Sequence, residues 1–411
     1  MSLVPTIDPH EFSKIPGGKL ISHEAASFFE NASLITPPVN NKRKILVKAL
    51  LSPSIPMSPT QQDEVEIPEY LHSIETYEIM GFNYDFACKI WSRYITGDPD
   101  SPFDFMDYAH ACIDRDRIPD GLSTSEDWDD IMTKLGINST LRAAILCPGF
   151  DDIRGTASCK HWIWEAMKMR FEALDNLIDY ISCEYERRRK VAEAGDCEGN
   201  TDPPASLTET PASLDGHTML WRACTKPAAE YCANAPQRLK FTSMTVYPGD
   251  FEGDRTYFTP QYQTANRFAN YLKHLAPLAE IAILQIAVPN DFIESLSKNH
   301  LLSDGPSSKA WKEVVWHYRC RKPLSRLRSD TEVICAKKLW IGHILLSGRA
   351  RFNAVDGYAT LQSSDALMVE VDGQWQKAEQ WSFSGREVQA KFARLCKGKA
   401  LIHSVGRLIE S

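Results

Sequence analysis

Between residues 66 and 190 apolar side chains recur at three- and four-residue spacing, the pattern of helices that bury one stripe. Tyr70 to Met80 shows it first, with Gly81 placed to end that helix. Asp85 to Tyr94, Asp104 to Cys112 and Ser125 to Lys134 read the same way, the last with Ser125 as N-cap and acidic residues from Glu126 to Asp130 in its first turn. The longest pattern runs from Ser158 to Arg189 through Trp162, Ala166, Met169, Leu174, Leu177 and Ile181, and it ends in the cations Arg187 to Lys190.

After residue 217 the pattern changes to short β-rich runs: Met219–Arg222, Met244–Tyr247, Ile281–Pro289, Ile341–Leu346, Ala366–Val371 and Gln380–Phe383. Helical stretches at Tyr262–His274 and Lys309–Tyr318 fall between them. This irregular mixture predicts an α+β class, an N-terminal helical region followed by a mixed α+β domain, rather than a doubly wound sheet. Residues 1–60 are rich in Pro, Ser and Asn and read as an arm in which only Arg43 to Leu51 has ordered character. Residues 61–190 are the helical region. Residues 191–216 hold almost no large apolar side chains and read as a linker or exposed loop before the α+β domain, 217–411.

Charge changes the picture. The chain of 411 residues has a formal net charge of −8, which argues against a nucleic-acid binder. The charge is unevenly placed, however. From Lys309 to Ser411 there are 18 basic and 10 acidic residues, a net of +8, which leaves the preceding residues at −16. Either the basic part meets a polyanion, or the two parts neutralise each other in the fold. The cations are densest from Arg319 to Arg328, where Arg319, Arg321, Lys322, Arg326 and Arg328 form a candidate surface for the phosphates of an RNA. Trp311, Trp316, Tyr318 and Trp340 lie among these basic stretches, available either for stacking on bases or for the core.

Other classes are excluded. The longest apolar runs are too short to span a bilayer, so no membrane partner is expected. The N-terminus shows no secretory signal. The 11 cysteines are scattered without a C-x-x-C pair, which fits a reducing, cytoplasmic setting. Thiol catalysis at Cys159 or Cys232 stands against the commoner role of buried cysteine. His217, His274, His317 and His343 have no metal-ligand spacing, and no metal is expected. The glycine-rich signatures of Rossmann and P-loop nucleotide sites do not occur.

Two constellations carry candidate chemistry. The first is Leu220-Trp-Arg222, then Arg255-Thr-Tyr-Phe-Thr-Pro260, Gln263 to Tyr271, Trp311 to Arg319, Trp340 to His343 and Glu379 to Phe383. Their order over residues 217–390 resembles the ADP-ribosyltransferase superfamily. The resemblance implies a site that binds NAD between two strands, with Arg222, Tyr257, Thr259 and either Glu379 or Gln380 as substrate-binding residues. In such a site an Arg holds a pyrophosphate and a carboxylate supports an oxocarbenium-like centre. Glu379 and Gln380 are adjacent, and on a strand only one of them faces a given side. With Gln380 inward, transferase chemistry of the usual kind is in doubt.

The second is Val288-Pro-Asn-Asp-Phe-Ile-Glu294. If a helix begins near Asp291, then Asp291 and Glu294 lie one turn apart on one face. Such a pair can bind a guanidinium or an ammonium, or take a proton from an amine. Alternatively it caps the helix. The stretch resembles the acidic signature of fungal arginine-containing cyclodipeptide synthases, with Asn290 in place of its first Asp. The resemblance implies a cytoplasmic enzyme of secondary metabolism that takes arginine and a second amino acid from aminoacyl-tRNAs. It closes them into a diketopiperazine, with Asp291 and Glu294 as the catalytic pair and no cofactor or DNA partner. The other reading, from the first constellation, is an NAD-using ADP-ribosyltransferase or NAD glycohydrolase.

Overall fold

The computed structural model describes residues 18–46, 64–98, 101–114, 125–194, 213–234, 255–319, 337–346 and 357–405. The chain is α+β and divides into two compact units. The first comprises Met1–Arg115, Leu135–Thr140 and Met167–Pro204; the second comprises Asp116–Lys134, Leu141–Ala166 and Ala205–Ser411.

The first unit opens with helix α1 (His23–Asn31), where Ser22 accepts from the Ala25 N–H and Ala25, Ala26 and Phe29 are buried. The proline-rich composition around it hid this helix, whose signals are local: a serine cap, an acidic first turn and one apolar stripe. Strands β1 (Lys42–Leu46) and β2 (Glu64–Pro68) pair antiparallel, and Ile45 and Ile67 are fully buried. Three helices follow, α2 (Ile74–Met80), α3 (Tyr84–Ile95) and α4 (Phe105–Ile113), capped by Ser73, Asn83 and Asp104 respectively. The helix read from Tyr70 starts only at Ile74, because Ser73 caps it there. Gly81 ends it at a φ of 134°, a conformation that favours glycine. The core is aromatic. The Tyr77 and Phe105 rings stack at 4.0 Å, and the Tyr77 hydroxyl donates to the Phe105 carbonyl at 2.9 Å. Burial pushes the Tyr77 phenol well above its ordinary pKa.

The second unit contains helix α5 (Ser125–Lys134), most of α6 (Ser139–Ile145), α7 (Asp151–Arg154) and the start of α8 (Cys159–Ala194). The remainder of α8 belongs to the first unit. The strands of the second unit are β3 (His217–Thr225), β4 (Arg255–Phe258), β5 (Ile281–Pro289), β6 (Lys298–Leu301), β7 (Leu339–His343), β8 (Met368–Val371), β9 (Gln374–Lys377), β10 (Glu379–Ser384) and β11 (Ala400–Ser404). Its later helices are α9 (Lys226–Asn234), α10 (Tyr262–Leu275), α11 (Asn290–Ser295), α12 (Ser308–Arg319) and α13 (Arg386–Leu395).

One sheet runs β11-β5-β3, the other β4-β10-β7-β6, and β8 and β9 form a separate hairpin. Strand β5 is buried along nearly its whole length, which accounts for its unbroken apolar run. Leu284, Ile286 and Val288 on one face join Leu220, Phe258, Phe383 and Phe392 in the main core. Helix α10 packs on β3 and β5. It is tied to α7 by the Arg267 guanidinium, which donates to the Asp152 carboxylate at 3.1 and 3.0 Å. Among the basic-region aromatics, Trp311 and Trp340 are fully buried and belong to the core, so stacking on bases does not fall to them. Their indoles donate to the carbonyls of His343 and Lys337. The strand read at Met244–Tyr247 and most of the 191–216 linker lie outside the described residues.

Candidate functional site

Among the described residues, a β-bridge joins the two main sheets. Trp221 and Thr259 exchange backbone hydrogen bonds, N–H to carbonyl, at 2.8 and 2.9 Å. Arg222 follows the bridge on β3, and its Nη1 donates to the Tyr257 carbonyl at 3.1 Å. The guanidinium thereby ties the end strand of one sheet to the end strand of the other. The structure brings together the five residues read from the first constellation. Strand β10 carries Glu379 and Gln380, and it pairs with β4 through Ser382 and Tyr257. Arg222 and Tyr257 are each only 3% exposed, and Thr259 and Gln380 are fully buried. Gln380 is thus the inward residue of its pair, and its Nε2 lies 3.5 Å from the His343 carbonyl. Glu379 points to the other side, half-buried, and its Oε1 takes the Trp381 indole N–H at 2.5 Å.

Gln261, which no sequence signal marked, ties this region together. Its backbone N–H donates to the Thr259 hydroxyl, and its Nε2 donates to the Lys377 carbonyl at 3.0 Å. Its Oε1 accepts from the Glu379 N–H and the Thr264 hydroxyl, each at 2.9 Å.

A second polar cluster adjoins it, because His343 stands opposite Glu379 in the β10–β7 register. His343 Nδ1 accepts the Ser303 N–H at 3.0 Å and lies 2.9 Å from the Ser303 hydroxyl. Lys377 Nζ donates to that hydroxyl at 2.9 Å and pairs with Asp304 at 2.5 Å; it also donates to Ser363. Burial, followed by the Lys377 ammonium, holds the His343 pKa below its ordinary value against the opposing pull of Asp304. Hydrogen bonds from Lys377 and Ser363 hold the Asp304 carboxyl below its usual range. Ser303 is 1% exposed, so this serine–histidine pair braces β7 against the end of β9 rather than meeting solvent. Sequence reading missed it because the partners lie 40 and 74 residues apart.

The acidic pair sits elsewhere in the second unit. Helix α11 begins directly at the end of β5, with Pro289 as N-cap and no side-chain cap bond. The capping alternative for Asp291 and Glu294 is therefore not what the chain adopts. Both side chains are exposed, and the Glu294 carboxylate lies 3.9 Å from the Lys298 ammonium. Arg222 pairs with Leu284, five residues before Pro289, which places the acid pair about 17 Å further along the strand. Arg222 thus stands near the middle of the β3–β5 pair, and the acidic pair stands beyond its Pro289 end.

Of the candidate tRNA-binding residues, the Arg319 side chain and all of Arg321, Lys322, Arg326 and Arg328 lie outside what is described. Cys159 and Cys232 are fully buried, and burial pushes the thiols of Cys224 and Cys396 up to about 12, the environment of inert cysteine. No His, Cys, Asp or Glu group among the described residues is arranged to hold a metal ion, and no described helix is long and apolar enough to cross a membrane. No family model, curated protein or solved structure matches this chain.

Proposed function

We propose that the protein is an aminoacyl-tRNA-dependent synthase that forms an arginine-containing cyclic dipeptide. The observation that carries this reading is the state of Asp291 and Glu294. Two carboxylates stand one helical turn apart on an exposed face, and neither is spent on capping. A planar guanidinium is the cation best matched to such a pair, because it donates through a fork of parallel N–H bonds. The reaction consists of two ester aminolyses. In each, an α-amine attacks the carbonyl of an aminoacyl ester, an amide forms, and a tRNA 3′-hydroxyl leaves with the proton that the amine gives up. A carboxylate beside the amine serves as the acceptor of that proton in passing. The basic C-terminal part supports an RNA partner by its charge.

The test is reconstitution of the whole chain with tRNA, synthetases, ATP and amino acids, with mass spectrometry of the products. A cyclo(Arg-Xaa) product that disappears on RNase treatment and in Asp291→Ala or Glu294→Ala supports the reading. The same product formed from free amino acids and ATP without tRNA overturns it.

A second reading, NAD cleavage or ADP-ribosyl transfer, is favoured by one observation: Arg222 and Glu379 come from strands that meet around the Trp221–Thr259 bridge. Against it, Arg222 is engaged with a backbone carbonyl, the inward residue is Gln380, and the Glu379 carboxylate holds an indole. Nicotinamide release from NAD, lost in Glu379→Gln, is its test.

A further inference from the structure

The face of the β11-β5-β3 sheet opposite the main core carries a set of side chains that neither reading uses. Leu401, Gln285 and Trp221 stand in one row across the three strands, and His403, Ile283 and Ala223 stand in a row two residues away on the same face. Gln285 is 3% exposed, and its Oε1 receives the His403 Nε2–H at 2.6 Å. Its Nε2 is buried with no hydrogen-bond partner among the described residues. A buried amide donor left unmade is unfavourable, and a ligand acceptor that reaches it recovers that loss.

The surroundings define what sort of acceptor fits. The Trp221 indole is half-buried and Tyr262, at the start of α10, is 40% exposed, its ring 6.2 Å from that of His403. These are two aromatic faces, reachable from solvent, beside an amide. At the far end of the same face, Lys399 Nζ donates to His217 Nε2 at 2.9 Å, while His217 Nδ1 faces the Asp215 carbonyl at 2.9 Å. Lys399 supplies a positive charge at this end of the face. Lys399 lies two residues before Leu401 on β11, so the cation stands further along this face from the aromatic pair, on the side away from His403.

We propose that this face is a nucleotide-binding subsite. The base lies against Trp221 and Tyr262, a ring nitrogen or carbonyl of the base accepts from Gln285 Nε2, and the phosphate is met by Lys399. Aromatic stacking with a single polar contact suits several bases, whereas the phosphate contact is electrostatic and weakens with salt. The inference stands on this geometry and does not need the proposed synthase activity. Where that activity also holds, the subsite takes the 3′ end of tRNA, since α11 with Asp291 and Glu294 starts beside His217: the Asn290 N–H donates to the Gly216 carbonyl at 2.9 Å.

The experiment is calorimetric titration of the whole chain with AMP, CMP, adenosine and ribose 5-phosphate, at low and high salt. AMP or CMP should bind more tightly than ribose 5-phosphate or adenosine, and salt should weaken the nucleotides but not adenosine. Gln285→Leu should lower nucleotide affinity about tenfold. Lys399→Ala, a substitution at a half-exposed position, should lower AMP affinity and leave adenosine unchanged, which guards against a Gln285 variant that fails to fold. Further arms identify the source: tRNA with an intact 3′ end against tRNA with that end removed, and NAD. Tighter binding of intact tRNA assigns the subsite to RNA, and tighter binding of NAD assigns it to a dinucleotide; either supports the proposal. Absence of binding by all of them, or binding untouched by both variants, overturns it. Loss of turnover with nucleotide binding intact refutes the synthase reading alone; the converse refutes the subsite alone.

Discussion

Lys377 donates to the Ser303 hydroxyl, and that hydroxyl lies 2.9 Å from His343 Nδ1, so a cation is held one hydroxyl away from an imidazole. The two charges around His343 act in opposite directions: Lys377 lowers its pKa and Asp304 raises it. Lys377→Met therefore raises the His343 pKa and Asp304→Asn lowers it. Histidine proton NMR titration of each variant checks the pair of signs. Shifts in the same direction would mean that burial alone sets the value.

The same imidazole makes stability depend on pH. Burial holds both His343 and His403 below the ordinary histidine value in the folded protein. As pH falls below about 6.5, an unfolded histidine takes up a proton that the folded one refuses. The unfolded chain then binds more protons, so folding stability declines as pH drops from about 7 to 5. Urea midpoints at pH 7.5 and pH 5.5 measure the decline, which should shrink in His343→Gln and in His403→Gln.

Gly136 tests the packing of the first unit. It adopts a φ of 72°, and a Cβ at this position would run into the Phe86 ring. Gly136→Ala combines left-handed strain with overpacking and should cost about 2 kcal/mol or more. Denaturant unfolding reads this directly, and a neutral result would mean that Phe86 moves aside freely.

Arg222 and Gln261 hold the junction of the two main sheets. Arg222→Met leaves the Tyr257 carbonyl without its guanidinium donor, and Gln261→Leu strands the Glu379 N–H and the Lys377 carbonyl. Each should cost about 1–3 kcal/mol. If Arg222 were chiefly a ligand contact, Arg222→Met would leave the unfolding midpoint unchanged while removing binding.

Much of the fold can be read in the chain because its signals are local. The run Ile281–Pro289 is a strand at those bounds, and Ser125–Lys134 is a helix at its expected ends. Strand β11 and helix α9 carried no clear periodicity and form through tertiary pairing, β11 against β5 and α9 against both. Around the site, the resemblance singled out Arg222, Tyr257, Thr259 and either Glu379 or Gln380, which lie on or beside neighbouring strands. It gave no hint that Arg222 would bond a backbone carbonyl, nor of the Ser303–His343–Lys377 network. Both are contacts between segments far apart in the chain, and no spacing rule encodes them. The roles of Asp291 and Glu294 turned on whether the helix used them as caps, and that is decided by a single proline at position 289.

The central claim rests on that pair, and a product assay coupled to unfolding measurements tests it most directly. Asp291→Asn and Glu294→Gln alter only exposed side chains, so the unfolding midpoint should stay within about 0.5 kcal/mol of wild type. In the reconstituted reaction the unmodified protein should yield cyclo(Arg-Xaa) strictly with arginyl-tRNA present, and each variant should lose about a hundredfold in rate. Undiminished cyclic product from a folded double variant, or product made without tRNA, would contradict the account.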